Sequence, residues 1–146
     1  MGISFARRPA GPGDLEFAYG LYRRLMEPLT AELRAWNESR HRAVVAEAIA
    51  GGGVEIFTIG AREVGWSEIR EAGGALLLAQ LYVEPAFQGR GIGTAVVSDL
   101  LARAGAARMP VDLSVLRNNG RARVLNERFG FRAVGEDGVK VHMRWG

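Results

Sequence analysis

The spacing of apolar residues in the first third of the chain predicts a short strand followed by two helices. The strand lies in "ISFARRPA", and apolar positions then recur every three or four residues from Leu15 to Leu25. Asp14 stands where a helix N-cap is expected, and Pro28 is expected to interrupt the first helix. The second helix is predicted from about 37 to 50, where three consecutive glycines end it.

Strand-like patterns fill the middle of the chain. The segment "VEIFTIGAREVGWSEI" has apolar residues that would lie on both faces of an extended strand, and a glycine near its middle, which predicts a hairpin. A turn at "EAGG" follows. The next segment, "ALLLAQLYV", is nearly all apolar and is therefore predicted to be a central strand that is buried on both faces.

The last third of the chain alternates helices and strands again. A long helix, the strand "VDLSV" and a short helix in "GRARVLNERFG" come first, and a final hairpin turns at Asp137 and Gly138. The short helix is predicted to end at Gly130 and to bury Ala122, Leu125 and Phe129. The order β-α-α-β-β-β-α-β-α-β-β predicts one α/β (α+β) domain over residues 1–146.

Composition excludes several classes of site. The chain has no cysteine, which rules out disulfides, thiolate metal ligands and a cysteine nucleophile. With only His41 and His142, no metal site is expected. No apolar run approaches the roughly 18 residues of a membrane span, and no secretory segment is seen, so we expect a cytoplasmic protein without a membrane partner. The net charge of +3 is mildly basic, and arginines cluster in the second half of the chain near a glycine-rich segment at 88–93. We therefore expect an anionic small molecule, rather than a nucleic acid, as the partner.

A glycine-rich loop, "QGRGIG" at 88–93, connects the central strand to the long helix. Free N–H groups and the dipole at a helix start suit phosphate oxygens, and glycines let a ligand approach the backbone. A tight turn without a ligand is the alternative. No lysine follows Gly93 as a nucleoside-triphosphate loop requires, and Val96 stands where a dinucleotide-binding loop needs its third glycine.

Two motifs resemble one family. "QGRGIG" matches the signature Q/R-x-x-G-x-G/A of the GCN5-related N-acetyltransferases (GNAT), and the preceding "LYVEPAF" is similar to that family's fourth strand and loop. "NGRARVLNERFGF", from 119 to 131, resembles the family's second motif, N-x-x-A-x-x-L-Y-x-x-x-G-F. The predicted order of elements also fits the GNAT fold, a mixed and mostly antiparallel sheet flanked by helices.

The resemblance implies that acetyl-CoA binds as a co-substrate. Loop N–H groups would hold its pyrophosphate, the fourth strand would pair with its pantetheine arm as an added strand, and Arg90 or Arg123 would meet the 3′-phosphate. The residues expected to contact the cofactor are Leu81, Tyr82, Val83, Gln88, Gly89, Arg90, Gly91, Ile92, Gly93, Thr94, Asn119, Ala122, Arg123 and Asn126.

The resemblance also implies direct attack of a primary amine on the thioester in a ternary complex. A backbone N–H of the fourth strand, at Tyr82 or Val83, would stabilise the oxyanion. Asn126 stands where the family often has a tyrosine that protonates the thiolate. An amide donates a hydrogen bond to sulfur but no proton, and a thiol pKa of about 8.5 lets the thiolate leave easily.

The general base is expected on the second helix. Gln80 occupies the region where some family members carry a glutamate, and it is not a base. Glu38 and His41 share a helix face, and a histidine with a pKa of about 6.5 is a suitable base. The alternative is that Trp36 covers the core while Glu38 and His41 form a solvated pair. His142 is expected to be exposed on the last strand.

The acceptor amine stays open between a small amine, a peptide N-terminus and a lysine side chain. Acidic residues near the acceptor, with Glu32, Glu38, Glu47 and Glu84 as candidates, would favour a cationic amine. A non-catalytic acyl-CoA sensor on the same fold is the alternative function, supported by Asn126 and Gln80. An open strand edge near the C-terminus would allow a homodimer.

Overall fold

A computed structural model gives the structure of residues 2–146, and its elements follow the predicted order. Short 3₁₀ turns at Pro12–Asp14 and Pro85–Phe87 precede the first and third helices. The helices are α1 (Leu15–Thr30), α2 (Glu38–Ala50), α3 (Ile92–Ala107) and α4 (Gly120–Arg128). The strands are β1 (Ala6–Pro9), β2 (Val54–Ile59), β3 (Arg62–Ala72), β4 (Ala75–Val83), β5 (Val111–Leu116), β6 (Arg132–Glu136) and β7 (Lys140–Trp145).

The strands form one sheet of seven in the order β1-β2-β3-β4-β5-β7-β6. Only β4 and β5 pair in parallel, so the sheet is mixed and mostly antiparallel, which confirms the predicted class. Helices α1 and α2 bury Leu21, Tyr22 and Val45 against one face, where Trp66 is fully buried. Helix α3 buries Val97 and Leu100 against the other face. Among residues 2–146, no helix is long and apolar enough to span a bilayer.

A gap opens in the middle of the sheet because β4 and β5 pair only over their first residues. The pairing joins 76–78 of β4 to 111–113 of β5, and the later residues of the two strands separate. Each strand keeps its antiparallel neighbour along that stretch, β3 for β4 and β7 for β5. The gap is therefore framed by two ordered strand edges.

A β-bulge at Ala79 reverses which face of the sheet the odd- and even-numbered side chains of β4 occupy. Glu68 of β3 faces Gln80 while the next residue faces Leu78, so Ala79 is an extra residue. Before the bulge Leu76 and Leu78 pack toward α3. After it Leu81 also packs toward α3, whereas Tyr82 packs toward α1 and α2.

Three local predictions differ from the structure. Pro28 does not interrupt α1, which continues to Thr30, so the loss of one backbone hydrogen bond is tolerated two residues before the helix ends. Asp14 precedes α1, but its carboxylate accepts from the N–H of Gly11 (2.8 Å) and from Arg8 instead of capping that helix. Leu125 of α4 is 47% exposed, since this helix packs loosely.

Candidate active site

The final residues of β4 direct backbone groups into the gap. The N–H of Glu84 donates to the carbonyl of Val64 in β3 (2.8 Å), and hydrogen bonds to one antiparallel neighbour involve every second residue. By this alternation Tyr82 also bonds to β3, so its N–H is not directed into the gap. Leu81 and Val83 are the residues whose N–H and C=O groups face it.

The glycine loop places a helix start beside this edge. Gly89 and Gly91 have φ values of +75° and +89°, which favour glycine. The first bond of α3 runs from the N–H of Ala95 to the carbonyl of Gly91 (2.9 Å). The N–H groups of 92–94 therefore have no acceptor inside the helix, and the helix dipole adds positive potential at the same place.

The N-terminal segment supports the outer side of this loop. The N–H of Ile3 donates to the carbonyl of Arg90 (2.9 Å), and a Cβ at Gly91 would lie 2.9 Å from the Cα of Gly2. Gly93 is different, because a Cβ there would meet only Leu81 Cδ2, at 4.0 Å. Gly93 thus lines the inner side of the loop, next to β4.

Two arginines add positive charge near the loop, one within it and one at the start of β3. The guanidinium groups of Arg90 and Arg62 lie 5.4 and 4.9 Å from the centre of the Phe87 ring. Gln88 does not turn its side chain to the loop, because its Nε2 donates to the carbonyl of Val83 (2.9 Å). This bond ties the loop to the end of β4.

The other predicted cofactor residues lie on and before α4. The side chain of Asn119 caps this helix by accepting from the N–H of Ala122 (3.3 Å). Arg123 is exposed, and Asn126 is half-buried with its carbonyl accepting from Phe129 (3.1 Å). Asn118 bridges the gap instead, since its Nδ2 donates to the carbonyl of Leu29 at the end of α1 (2.6 Å).

A cavity of about 190 Å³ lies at the open end of the gap. Tyr22 lines the cavity, and its ring meets the ring of Tyr82 edge-on with centroids 5.5 Å apart. On the far side is Lys140, which pairs with Leu116 at the end of β5. The residues that line it are Tyr22, Arg34, Ala35, Asn37, Arg40, His41, Val44 and Lys140.

His41 and Tyr22 form a close pair in this cavity. The Nδ1 of His41 lies 2.6 Å from the hydroxyl of Tyr22, and its ring stacks on Trp36 with centroids 3.8 Å apart. Partial burial, with the charges of Arg34 and Arg40, lowers the pKa of His41 below its usual 6.5. Burial raises the pKa of Tyr22 above 10.0, so near pH 7 the pair consists of a neutral imidazole and a neutral phenol.

The structure does not bring Glu38 into the cavity with His41. Its carboxylate accepts from Arg23 (2.6 Å) and from the hydroxyl of Tyr19 (3.2 Å). Glu38 is not among the residues that line the cavity, so of the two predicted candidates only His41 is placed there for proton transfer.

A second carboxylate, Glu68, was missed by sequence reasoning. It lies opposite Gln80, is 9% exposed, and accepts from Gln80 Nε2 (3.1 Å). The Oε1 of Gln80 in turn accepts from the hydroxyl of Tyr82 (3.2 Å), and burial raises the pKa of Tyr82 well above 10.0. Only the register between β3 and β4 pairs Glu68 with Gln80, and no pattern along the chain encodes that register.

His142 lies away from the cavity. It is half-exposed on β7, where its Nδ1 is 2.7 Å from the hydroxyl of Ser114 and its Nε2 is 3.3 Å from Asp137. Across the residues that the structure describes, no group of three or more His, Asp or Glu side chains is arranged to hold a metal ion.

Comparison with known protein families gives one match that covers most of the chain. Residues 39–133 match the model of the acetyltransferase (GNAT) domain, which is well over half of the chain. No curated protein sequence matches significantly.

Solved structures match over nearly the whole length. A Pyrococcus horikoshii protein is 22% identical with 97% of each chain covered and a TM-score of 0.79. The PaiA N-acetyltransferase of Thermoplasma acidophilum, in complex with coenzyme A, is 16% identical, with 97% of this chain and 98% of that chain covered and a TM-score of 0.75. An Arabidopsis thaliana protein in complex with the bisubstrate analogue CoA-Ac-MVNAL is 19% identical, with 99% of each chain covered and a TM-score of 0.70. These likenesses confirm the predicted fold.

Proposed function

The chain belongs to the GNAT acetyltransferase family, and from this premise we propose that it transfers an acetyl group from acetyl-CoA to a primary amine. The observation that carries the proposal is that Tyr22, which lines the cavity, packs against Tyr82 of β4 beside the gap between β4 and β5. One side offers backbone N–H groups at the start of α3 and along β4. The other side is a cavity that contains a neutral histidine.

The residues on the first side fit coenzyme A. The N–H groups of 92–94 and the helix dipole suit the pyrophosphate, with glycines leaving room for it. The N–H and C=O of Leu81 and the N–H of Val83 suit the amides of the pantetheine arm, as in β-augmentation, whereas the carbonyl of Val83 already accepts from Gln88. Two related structures are complexes with coenzyme A or with a CoA-containing analogue, which supports the assignment.

We assign oxyanion stabilisation to the N–H of Leu81. This N–H faces the gap and lies beside the bulge at Ala79, where β4 and β5 separate. The alternation along β4 directs the N–H of Tyr82 to β3, so Val83 is the second candidate. A fixed backbone donor stabilises the negative charge that develops on the thioester oxygen as the amine attacks.

We assign the general base to His41 together with Tyr22. Their hydrogen bond allows two neutral forms of the imidazole. In one, Nε2 is unprotonated and takes the amine proton directly. In the other, Tyr22 takes that proton and passes its own to Nδ1. Both routes end with a protonated His41, and the lowered pKa keeps this residue ready to accept a proton at pH 7.

The leaving group needs little assistance. The nitrogen–carbon bond forms, the carbon–sulfur bond breaks, and the electron pair goes to sulfur. Because a thiol has a pKa of about 8.5, the thiolate leaves readily and takes a proton from water. In this scheme Asn126 donates a hydrogen bond to the sulfur without supplying a proton.

The test is release of free thiol from acetyl-CoA across a panel of amines, amino acids, polyamines and short peptides. A calorimetric titration with acetyl-CoA alone is run beside it. We expect binding in the titration and thiol release with at least one class of amine. Binding without turnover on any class would favour the acyl-CoA sensor, and absence of binding would contradict both functions.

A further inference from the structure

We propose that the acceptor is a small amine that also carries an anionic group, such as an amino acid. This inference rests on the proposed function and names the chemistry of its second substrate. The observation is that Arg34, Arg40 and Lys140 converge on the cavity while no carboxylate lines it. None of the acidic candidates Glu32, Glu38, Glu47 and Glu84 is among the lining residues.

The three cations differ from most arginines that lie nearby. Arg42, half a turn from Arg40 on α2, pairs with Glu16, and Arg24 of α1 pairs with Glu84 (2.7 Å). Within residues 2–146, no carboxylate lies within 4.0 Å of the guanidinium groups of Arg34 and Arg40 or of the ammonium of Lys140. Their charges are therefore available to a ligand.

The three cations come from different elements, so they are not simply neighbours on one exposed helix face. Arg34 precedes α2, Arg40 lies in its first turn, and Lys140, the single lysine of the chain, comes from β7. The start of α2 at Asn37 also lines the cavity and adds the positive end of its dipole. Like charges from separate elements repel each other, and a bound anion offsets that repulsion.

The positive potential also acts on the acceptor amine. An ammonium ion bound among these cations has a lowered pKa, so it loses its proton more easily than in water. A polyamine would be repelled, whereas a zwitterion is anchored by its anion while its amine is deprotonated. The cavity volume of about 190 Å³ suits a ligand of this small size.

The same cations connect acceptor binding to the base. The groups that face His41 are Tyr22, Trp36, Arg34 and Arg40, with Lys140 across the cavity. An anion bound to the cations weakens their field at the imidazole. The acid limb of kcat, which reports the ternary complex, therefore lies at a higher pH than the acid limb of kcat/KM with an anionic acceptor. With a neutral acceptor the two limbs coincide.

The experiment compares matched acceptors with and without the anion, and expresses each rate per unprotonated amine because the anion also raises the pKa of the amine. α-Amino acids are compared with their carboxamides, and phosphoethanolamine with ethanolamine, with spermidine as the cationic member. We expect kcat/KM to be about tenfold or more higher for the anionic partner, which is about 1.4 kcal/mol. The two pairs show whether the preferred anion is a carboxylate or a phosphate.

Variants then locate the anion. Arg34→Gln, Arg40→Gln and Lys140→Gln change exposed side chains, so the fold should survive. Each should raise KM for the anionic acceptor about tenfold and change KM for the carboxamide much less, because the carboxamide has no anion for these cations to bind. Arg103→Gln, on exposed α3 surface across the sheet, is the matched control and should change neither.

The outcomes distinguish failure of the proposed acetyl transfer from failure of the proposed preference for an anionic acceptor. A protein that does not bind acetyl-CoA contradicts the proposed function itself. A protein that binds acetyl-CoA but prefers carboxamides or spermidine, or that uses no anionic amine, overturns the inference alone. Equal losses with charged and neutral acceptors in the three variants would likewise overturn it.

Discussion

The two sides of the gap between β4 and β5 are built from different materials. The side formed by β4 and the loop before α3 presents main-chain N–H and C=O groups, and its conformation depends on glycines with positive φ. The cavity side presents side chains from α1, α2 and β7, with three cations and the ring of Tyr22. Main-chain groups are common to all sequences, whereas side chains vary with each one.

This difference indicates how binding and specificity are divided. A site made of backbone groups tolerates most side-chain substitutions as long as its glycines are retained, so it suits a ligand that does not change between related proteins. A site of side chains changes its ligand when one residue changes. Substitutions on the first side should therefore act on acetyl-CoA binding, and substitutions on the second side should act on turnover and choice of acceptor.

The largest expected effect comes from Gly93→Asp. A carboxylate there would lie beside β4 and oppose the pyrophosphate, so acetyl-CoA binding should weaken about 100-fold or more, measured by calorimetry. The fold should survive, because the position has room for a Cβ and an acidic residue is favourable in the first helical turn. Gly91 is less suitable, since a Cβ there would clash with Gly2.

The control for this test is Gly93→Ala, which adds the Cβ without the charge. It should bind acetyl-CoA within a few-fold of the parent. Equal and large losses in both variants would mean that space, not charge, is critical. Unchanged binding in a folded Gly93→Asp variant would contradict the assignment of the loop.

The next largest effect concerns the base. His41→Gln should lower turnover about 10²- to 10⁴-fold and leave acetyl-CoA binding unchanged, because the imidazole lies on the other side of the gap. His142→Gln is the matched control, since that histidine lies outside the cavity and bonds to Ser114. Full activity in His41→Gln, or an equal loss in both variants, would be inconsistent with His41 as the base.

The pH dependence of kcat/KM tests the same assignment of His41 as the base. Burial and the two arginines lower the pKa of His41, so the imidazole stays unprotonated until the pH falls below its usual 6.5. The acid limb of kcat/KM should therefore have an apparent pKa below 6.5, measured with an acceptor whose own titration is known. An acid limb at or above 6.5 would be evidence against this environment. Arg34→Gln should move the limb upward.

The smallest expected effect is that of Asn126→Tyr. A phenol at this half-buried position of α4 would supply the proton that the asparagine does not. Because the thiolate leaves easily, we expect turnover to change less than threefold in steady-state assays. A rise of tenfold or more would show that protonation of sulfur limits the rate.

The sequence was informative where function depends on local backbone conformation. Glycines in "QGRGIG" predict the loop, the order of elements follows from periodicity, and the mixed sheet was implied by the resemblance to the GNAT family. The bulge at Ala79 was not predicted, although it decides which face of β4 Tyr82 occupies, because one extra residue leaves no mark in a uniformly apolar strand.

Most of the cavity could not be predicted from the sequence, because its residues are far apart along the chain. His41 was a candidate from its helix position, but its partner Tyr22 lies 19 residues earlier and Lys140 lies on the last strand. Only packing of α1 against α2, and of β7 against β5, brings these side chains together. Convergence of charges from separate elements is a tertiary property, and the residues that line the cavity include three cations and none of the acidic candidates Glu32, Glu38, Glu47 and Glu84.

Transfer of the acetyl group from acetyl-CoA to the amine without a protein-bound intermediate is tested most directly by labelling that acetyl group. Acetyl-CoA carrying an isotopic label in its acetyl group is mixed with protein and acceptor, and mass spectrometry follows both the amine and the intact protein. We expect one acetyl group on nitrogen for each thiol released, with no acetyl group on the protein. Thiol release without an acetylated amine, or a labelled protein that passes its acetyl group onward, would contradict transfer across the gap.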